Sequence, residues 1–250
     1  MIFNQNAKLV VLQLYNYMLL LSYVIIAEFV YSDFLIIAVS TFLLMGCGTI
    51  IGLHRYFTHN SFNTSAWKRK LLIWLATLSG LGSIVTWSAV HLKHHAKTDL
   101  KEDPHSPVQN HPLKVWFGNF FNLYSNIEKK YFVTSLRNND LIFYHHYYFV
   151  FIAMFMTTIL ILFGWKYLAI IYAIPQLLTL HASSCINVLG HMLGKNTYNL
   201  NHNAKDNFAL GLLILGEGWH NTHHYNPSLS RLHKYDISGI LIEKFFERNK

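Results

Sequence analysis

The stretch Gly216-Glu217-Gly218-Trp219-His220-Asn221-Thr222-His223-His224 carries three histidines at i, i+3 and i+4. On a helix that spacing brings the three imidazoles to one face, within reach of shared metal ions. His91-Leu92-Lys93-His94-His95 repeats the spacing, His54-Arg55-Tyr56-Phe57-Thr58-His59 places two imidazoles at i and i+5, and Asn187-Val188-Leu189-Gly190-His191 pairs an amide with an imidazole at i and i+4. A lone histidine reads as a satisfied polar residue. Two HxxHH clusters with an HxxxxH and an NxxxH, all near the ends of apolar segments, read as a metal site. Imidazole suits zinc, copper, iron and nickel, so the ligands alone leave the metal open. The nine candidates (His54, His59, His91, His94, His95, His191, His220, His223 and His224) exceed the four ligands of one tetrahedral zinc and fit two metals. The expectation is an all-histidine dinuclear site, unlike the soluble di-iron bundles, which use Glu with Glu-x-x-His.

Such a site needs elements that deliver every histidine to one place. Residues 9–31, 34–53, 146–163 and 167–190 are apolar runs of a length that can cross a bilayer, for which about 20 residues suffice. Tyr31-Ser32-Asp33 and Gly164-Trp165-Lys166 join them into two hairpins. Residues 71–90 are also apolar, but a crossing there would put His54 and His59 opposite His91, His94 and His95. They are therefore read as an interfacial or re-entrant segment, weakened by Gly80, Gly82, Ser83, Thr86 and Ser88. Thr98 to Pro107 reads as a loop, residues 112–136 as short interfacial helices rich in aromatics, and Phe208 to Leu215 as a run too short to span. Pro175 is expected to kink the last span.

Composition agrees. The 250 residues are 52% hydrophobic and 13% charged, against about 25% charged in a soluble domain. Of the 20 Lys and Arg, eleven lie between His54 and Asp140, seven after His191, one is Lys8, and Lys166 stands alone on the opposite side. By the positive-inside rule both termini and all the histidine boxes face the cytoplasm. The net charge of +8 then meets anionic lipid headgroups or an acidic redox partner, and nucleic acid is not expected. Cys47 and Cys185 sit in apolar runs and read as packing residues. The first apolar run is too long for the core of a signal peptide. The fold expected is all-α and integral to the membrane: four transmembrane helices in two hairpins, with a cytoplasmic cap of residues 54–140 and 191–250, in one domain over 1–250.

The order HxxxxH, HxxHH, NxxxH, HxxHH resembles the integral-membrane fatty acyl desaturases, the Δ9, stearoyl-CoA desaturase-like branch in particular. The box from Gly216 to His224 and the Asp103-Pro104-His105-Ser106-Pro107 segment carry the likeness, which covers His54 to about Glu247. The resemblance implies O2-dependent desaturation of a fatty acyl chain at two iron ions. One iron would take His54, His59, His91, His95 and His223, and the other His94, His191, His220 and His224, with Asn187 reaching the second through a water. Glu217, Asp99 and Asp103 are candidates to hold ligand rings by their Nδ1–H groups. An unactivated methylene has no acidic proton, so a strong oxidant must remove hydrogen atoms, and the cofactor supplies that chemistry. The chain lacks CxxCH, a ferredoxin cysteine set and GxGxxG, which implies a separate electron carrier such as a ferredoxin or a cytochrome b5. Where the animal acyl-CoA enzymes carry Arg and Asp before the HxxHH box, this chain has Ala89 and Val90; Gly82 replaces a polar headgroup residue and Ser184 a tunnel tryptophan. In the box from Gly216 to His224 and in its short length the chain resembles bacterial and cyanobacterial relatives, and the substrate expected is a fatty acyl chain carried as acyl-CoA or acyl-lipid.

Two rivals stand beside this reading. A hydroxylase or ketolase of the same superfamily would share the iron site and add oxygen. A metal transport or storage protein would place its ligands within the spans, where here only His181 falls. His105, His111, His145, His146, His181, His202 and His233 match no box and are assigned structural or interfacial roles.

Overall fold

The computed structural model describes residues 5–247. Ten of its helices organise the fold, and short helical turns at Pro112–Trp116, Lys129–Phe132 and Val133–Leu136 fall where short helices were expected within 112–136. The ten are α1 (Asn6–Ile26), α2 (Tyr31–Thr58), α3 (Ala66–Leu78), α4 (Ile84–Lys97), α5 (Asn139–His146), α6 (Tyr148–Phe163), α7 (Trp165–Met192), α8 (Phe208–Leu213), α9 (His220–Tyr225) and α10 (Ile237–Leu241). Among the described residues there is no β-strand, only isolated bridges from Asp206 to Lys195 and to Trp219. The outermost residues of the domain expected over 1–250 lie outside the described residues.

α1, α2 and α7 are each long and apolar enough to cross a membrane, and α5 with α6 forms a fourth candidate bent by 61°. Their outward faces carry exposed Val11, Met18, Val24, Phe34, Leu35, Met154, Ile161 and Leu162. That is a liability in water and the ordinary lining of a helix in lipid. Inward, Leu9, Leu12, Leu44, Leu78, Tyr148, Ile152, Leu168 and Tyr172 make one buried cluster from α1, α2, α3, α6 and α7.

The boundaries differ from the sequence expectation in instructive places. The first helix ends at Ile26 and the second begins at Tyr31, so residues 27–30 make the turn that was placed at Tyr31-Ser32-Asp33. The reason is Asp33. Its carboxylate accepts from the Val30 backbone N–H at 3.2 Å and from Tyr23 Oη at 2.9 Å, closing the first turn of α2. Lys166 Nζ, at the start of α7, lies 2.9 Å from the same carboxylate and donates to the Glu28 carbonyl at 2.8 Å, which ties the two hairpin tips together. At its other end α2 runs on to Thr58, past the boundary expected at residue 53. α7 continues through Pro175; a wide π-wound turn at Ala169–Ala173 immediately precedes the proline.

The apolar stretch at 71–90 is two helices. α3 stops at Leu78, and Ser83 restarts the chain as α4 by accepting from the Thr86 N–H. α3 lies against the C-terminal half of α2 at backbone distance: a Cβ on Gly48 would sit 2.5 Å from the Leu75 carbonyl oxygen. Leu53, Ile73, Ala76, Ile84, Val85 and Ala89 fill the space among α2, α3 and α4. α8 packs Leu210, with Ile214 just beyond it, against Ile50 and Ile186, so the short apolar run supports the region of the last histidine box.

Candidate metal centre

Five imidazoles meet where α2, α4 and α9 converge. From Phe42 to Thr58 the backbone of α2 is π-wound; the His59 N–H donates to the His54 carbonyl and Thr58 Oγ1 to the Leu53 carbonyl, both five residues back. In an α-helix, residues five apart point about 140° away from each other. A helix closed by i→i+5 bonds returns them to nearly the same face. The winding thus explains how an HxxxxH pair can serve one site. His54 Nε2 lies 3.0 Å from His223 Nε2, His223 Nε2 3.0 Å from His95 Nε2, and His95 Nε2 3.0 Å from His91 Nε2. The His59 ring is 4.7 Å from those of His95 and His223, and its Nε2 is buried without a hydrogen-bond partner among the described residues. One nitrogen from each of the five lies within 4.8 Å of all the others.

The second group is His94 from α4, His191 from the end of α7, and His220 and His224 from α9. Nε2 of His94 is 3.2 Å from Nε2 of His224, which is 3.2 Å from that of His220, which is 3.0 Å from that of His191. α9 is only six residues long and owes its place to its neighbours. Asp206 accepts from the Thr222 N–H and hydroxyl, and Asn221 is bonded to the backbone of Tyr198 and Ala204.

The faces of several rings away from the groups are held by carboxylates. Glu217 Oε2 lies 2.6 Å from His54 Nδ1, Asp103 takes His94 Nδ1 at 2.9 and 3.0 Å, and Asp99 lies 3.2 Å from His191 Nδ1. Glu217 also stands at Glu-x-x-His spacing from His220, as Glu102 does from His105, but its carboxylate turns to His54 and away from the grouped nitrogens. Burial would raise the carboxyls of Asp99 and Asp103; the imidazole N–H of His191 and of His94 outweighs it and holds both below the usual range. His91, His95, His220, His223 and His224 are pushed well below the ordinary imidazole value, first by burial and then by their neighbouring imidazoles. Both causes favour the neutral form, the one in which imidazole binds a metal.

These donor sets fit metal ions. With Nδ1–H given to a carboxylate, Nε2 of His54, His94 and His191 presents a lone pair, so the close Nε2 pairs are not all hydrogen bonds. Metal–nitrogen bonds of about 2.0–2.1 Å place neighbouring ligand nitrogens about 3.0–3.4 Å apart, the separation seen within both groups.

Two cavities with lining residues in common lie beside the site. One is lined by His54, His91, Glu217 and His220 and by apolar Met45, Ile50, Ile186 and Ile214. The other is lined by Gln5, Asn6 and Asn119 and by Leu9, Leu81 and Leu180. Trp87, His105, Ser183 and Asn187 line both. Asn187 Nδ2 is 3.2 Å from His105 Nδ1.

Sequence reasoning missed several residues here. His105 and His202 were assigned structural or interfacial roles without a place beside the site; His105 is buried with its ring 5.3 Å from that of His94, and His202 has its ring 4.9 Å from that of His224. Trp87 stacks on His91 at 4.8 Å. Arg55 is buried between Glu217 and Asp236. The available signal was an arginine inside an apolar run, next to the first histidine. His181 bridges Tyr17 and Trp116, His233 stacks on Trp219, and His111 caps the short helix Pro112–Trp116 by accepting from the Leu113 N–H.

Helices of membrane-spanning type, two groups of imidazoles and an apolar cavity beside them define a helical membrane-type protein with two candidate metal sites. The chain belongs to the fatty acid desaturase family, whose sequence model matches residues 32–238; it is an oxidoreductase, a desaturase. It is 28% identical over 213 residues to delta-9 acyl-lipid desaturase 2 of Arabidopsis thaliana, covering 81% of this chain and 68% of that protein. It is 27% identical over 206 residues to the sn-1 stearoyl-lipid 9-desaturase of Anabaena variabilis, covering 78% and 74%. To the acyl-CoA C20 delta5-desaturase of Anemone leveillei it is 29% identical over 187 residues, covering 71% and 58%.

Proposed function

We propose that this chain introduces a double bond into a fatty acyl chain in the Δ9 manner, using O2 and electrons from a separate carrier such as a ferredoxin or a cytochrome b5. The observation that carries the reading is the convergence of nine imidazole nitrogens into groups of five and four beside an apolar cavity. His54, His59, His91, His95 and His223 would hold one iron ion and His94, His191, His220 and His224 another, with Asn187 acting on the second through a water. The two ions, with O2, supply an oxidant strong enough to remove hydrogen from an unactivated methylene.

The remaining work falls to the chain's own residues. Leu9, Leu81 and Leu180 on one side, and Met45, Ile50, Ile186 and Ile214 on the other, offer an extended apolar path that exchanges water for a hydrocarbon tail. Trp87, shared by both cavities and stacked on His91, sets the passage beside the histidines. Glu217, Asp103 and Asp99 fix ring orientation and tautomer. The overall reaction takes one hydrogen from each of two adjacent carbons, and with two electrons and two protons from outside reduces O2 to two waters.

The carrier we propose is a membrane lipid. Among the described residues no lysine or arginine lines the cavity entered by Gln5, Asn6 and Asn119, whereas CoA phosphates call for cations. In this reading the whole chain is one domain. α1, α2, the α5–α6 pair and α7 cross the bilayer as two hairpins, and the histidines face the cytoplasm. Lipid profiling of a host expressing the chain tests the proposal: the product should be lighter by two hydrogens, with the new double bond at carbon nine, and absent with His220→Ala. A product heavier by one oxygen would assign hydroxylation instead.

A further inference from the structure

Among the described residues Arg55 is the largest of the side chains buried almost completely, with 1% of its surface exposed, and its cation lies between two buried carboxylates. Its Nη2 donates to Glu217 Oε1 at 3.1 Å, and its Nη1 donates to Asp236 Oδ2 at 2.7 Å and to the Ser230 carbonyl at 2.9 Å. The other oxygen of Glu217 is the one on His54 Nδ1, at 2.6 Å. Asp236 is fixed in turn by the backbone N–H groups of Leu232 and Gly239, at 2.8 and 2.9 Å. Gly216 makes the approach possible: it takes φ +115°, and a Cβ there would collide with Asp236 Oδ1. One line of contacts therefore runs from Asp236 through Arg55 and Glu217 to the back of His54.

We propose that Arg55 is a positioning residue for the first histidine group: it fixes Glu217 on His54 Nδ1 and takes up part of that carboxylate's charge, making the first site a weaker donor set than the second. The inference rests on the metal-binding reading above. A carboxylate that shares its charge with a guanidinium pulls less on the imidazole N–H, and Nε2 on the far side of the ring becomes less basic. Among the described residues no arginine pairs with Asp103 or Asp99, behind His94 and His191. Arg55 also holds the carboxylate in register. A guanidinium reaches Glu217 and Asp236 at once from a planar fork, which a lysine ammonium does not reproduce.

The test uses the full-length chain, purified in detergent and titrated anaerobically with 57Fe(II), with metal analysis and Mössbauer spectra to resolve the two sites. Asp103→Asn identifies the second site as the one it weakens. Arg55→Gln alone would strand two buried carboxylates, so Arg55→Gln is combined with Asp236→Asn, and Arg55→Lys is measured beside it. In the double variant Glu217 regains its full charge but loses its tether. The lost register should outweigh the charge and weaken the first site about tenfold or more, in the range seen when a ligand's supporting group is lost; a first site that strengthens would overturn the positioning role. The second site should stay within about twofold of wild type, and Arg55→Lys should fall between. Equal weakening of both sites, with a matching drop in melting temperature, would show Arg55 to be a structural strut and overturn the proposal, as would two unchanged sites. If the double variant does not accumulate, Arg55→Lys decides: unchanged sites overturn the idea, and a weakened first site alone supports it. Wild-type protein that binds fewer than two ions defeats the proposed function itself, before any variant is compared.

Discussion

The two histidine groups share α4 and α9 and differ in what stands behind their rings. The group of five has one ring backed by a carboxylate, and that carboxylate is shared with Arg55; the group of four has two so backed, His94 on Asp103 and His191 on Asp99, with no arginine among the described residues paired with either. The same imidazoles thus sit in two electrostatic settings. Buried negative charge close to a ligand ring strengthens its hold on a cation. The four-histidine site should bind its ion more tightly than the five-histidine site, although it offers fewer nitrogens. On the proposed reading, the histidines set the number of ligands and the carboxylates behind them the strength of each site.

The largest expected effect tests whether both groups are needed. Replacing His91 in the first group, or His94, His191, His220 or His224 in the second, by alanine should lower product at least about a hundredfold, because no neighbour replaces the lost bond. Each should lower iron content by about one equivalent. Product in whole cells, normalised to protein in the membrane fraction, is the measure; activity retained by His191→Ala would remove the second group from the reaction. Next come the carboxylates. Asp103→Asn and Glu217→Gln should each weaken one ion by about 10–100-fold, but opposite ions, and loss of the same ion in both would collapse the distinction. His105→Ala should cost roughly fivefold in product, equivalent to one buried hydrogen bond of about 1 kcal/mol to Asn187, with both ions retained. His111→Ala, in a surface turn, should behave as wild type. A small effect is expected furthest from the sites: Lys166→Met removes an ion pair between a partly exposed lysine and the buried Asp33, which keeps its bonds to Tyr23 and the Val30 N–H, at a cost of about 1 kcal/mol. It should lower the melting temperature slightly while changing neither site.

Much of this organisation was legible in the sequence for a simple reason. Apolar runs of membrane-spanning length and histidines at helical spacing are local patterns, and local patterns decide which helix carries which ring. The i, i+3, i+4 spacing needed nothing more to bring the rings of α4 and of α9 to one side of each helix, although the place of α9 depends on Asp206, Tyr198 and Ala204. The hairpin turn was misplaced by a few residues because Asp33 reads as a turn residue, yet it closes the first turn of α2 with a partner, Lys166, that is distant in sequence. Arg55 with Asp236, and His105 with Asn187, were out of reach for the same cause: each pair is made by tertiary packing across 181 and 82 residues. Glu217, Asp99 and Asp103 were nameable as candidates because they neighbour the boxes. Which ring each would face depended on the fold.

The π winding of α2 bears on how this kind of protein can gain or lose a residue. A pair of histidines four apart in an α-wound helix and a pair five apart in a π-wound one face the same way, so the two spacings are interchangeable spellings of one ligand pair. Deleting Phe57 between His54 and His59 should let that turn relax to α winding and leave two bound ions. Deleting Leu92, which shifts His91 within an α-wound segment that has no spare residue to release, should cost the first ion. Iron content of the two deletion variants separates these outcomes, and equal losses would mean that the winding of α2 is not interchangeable. Alignments that treat a one-residue gap inside the first box as disqualifying would then be discarding intact sites.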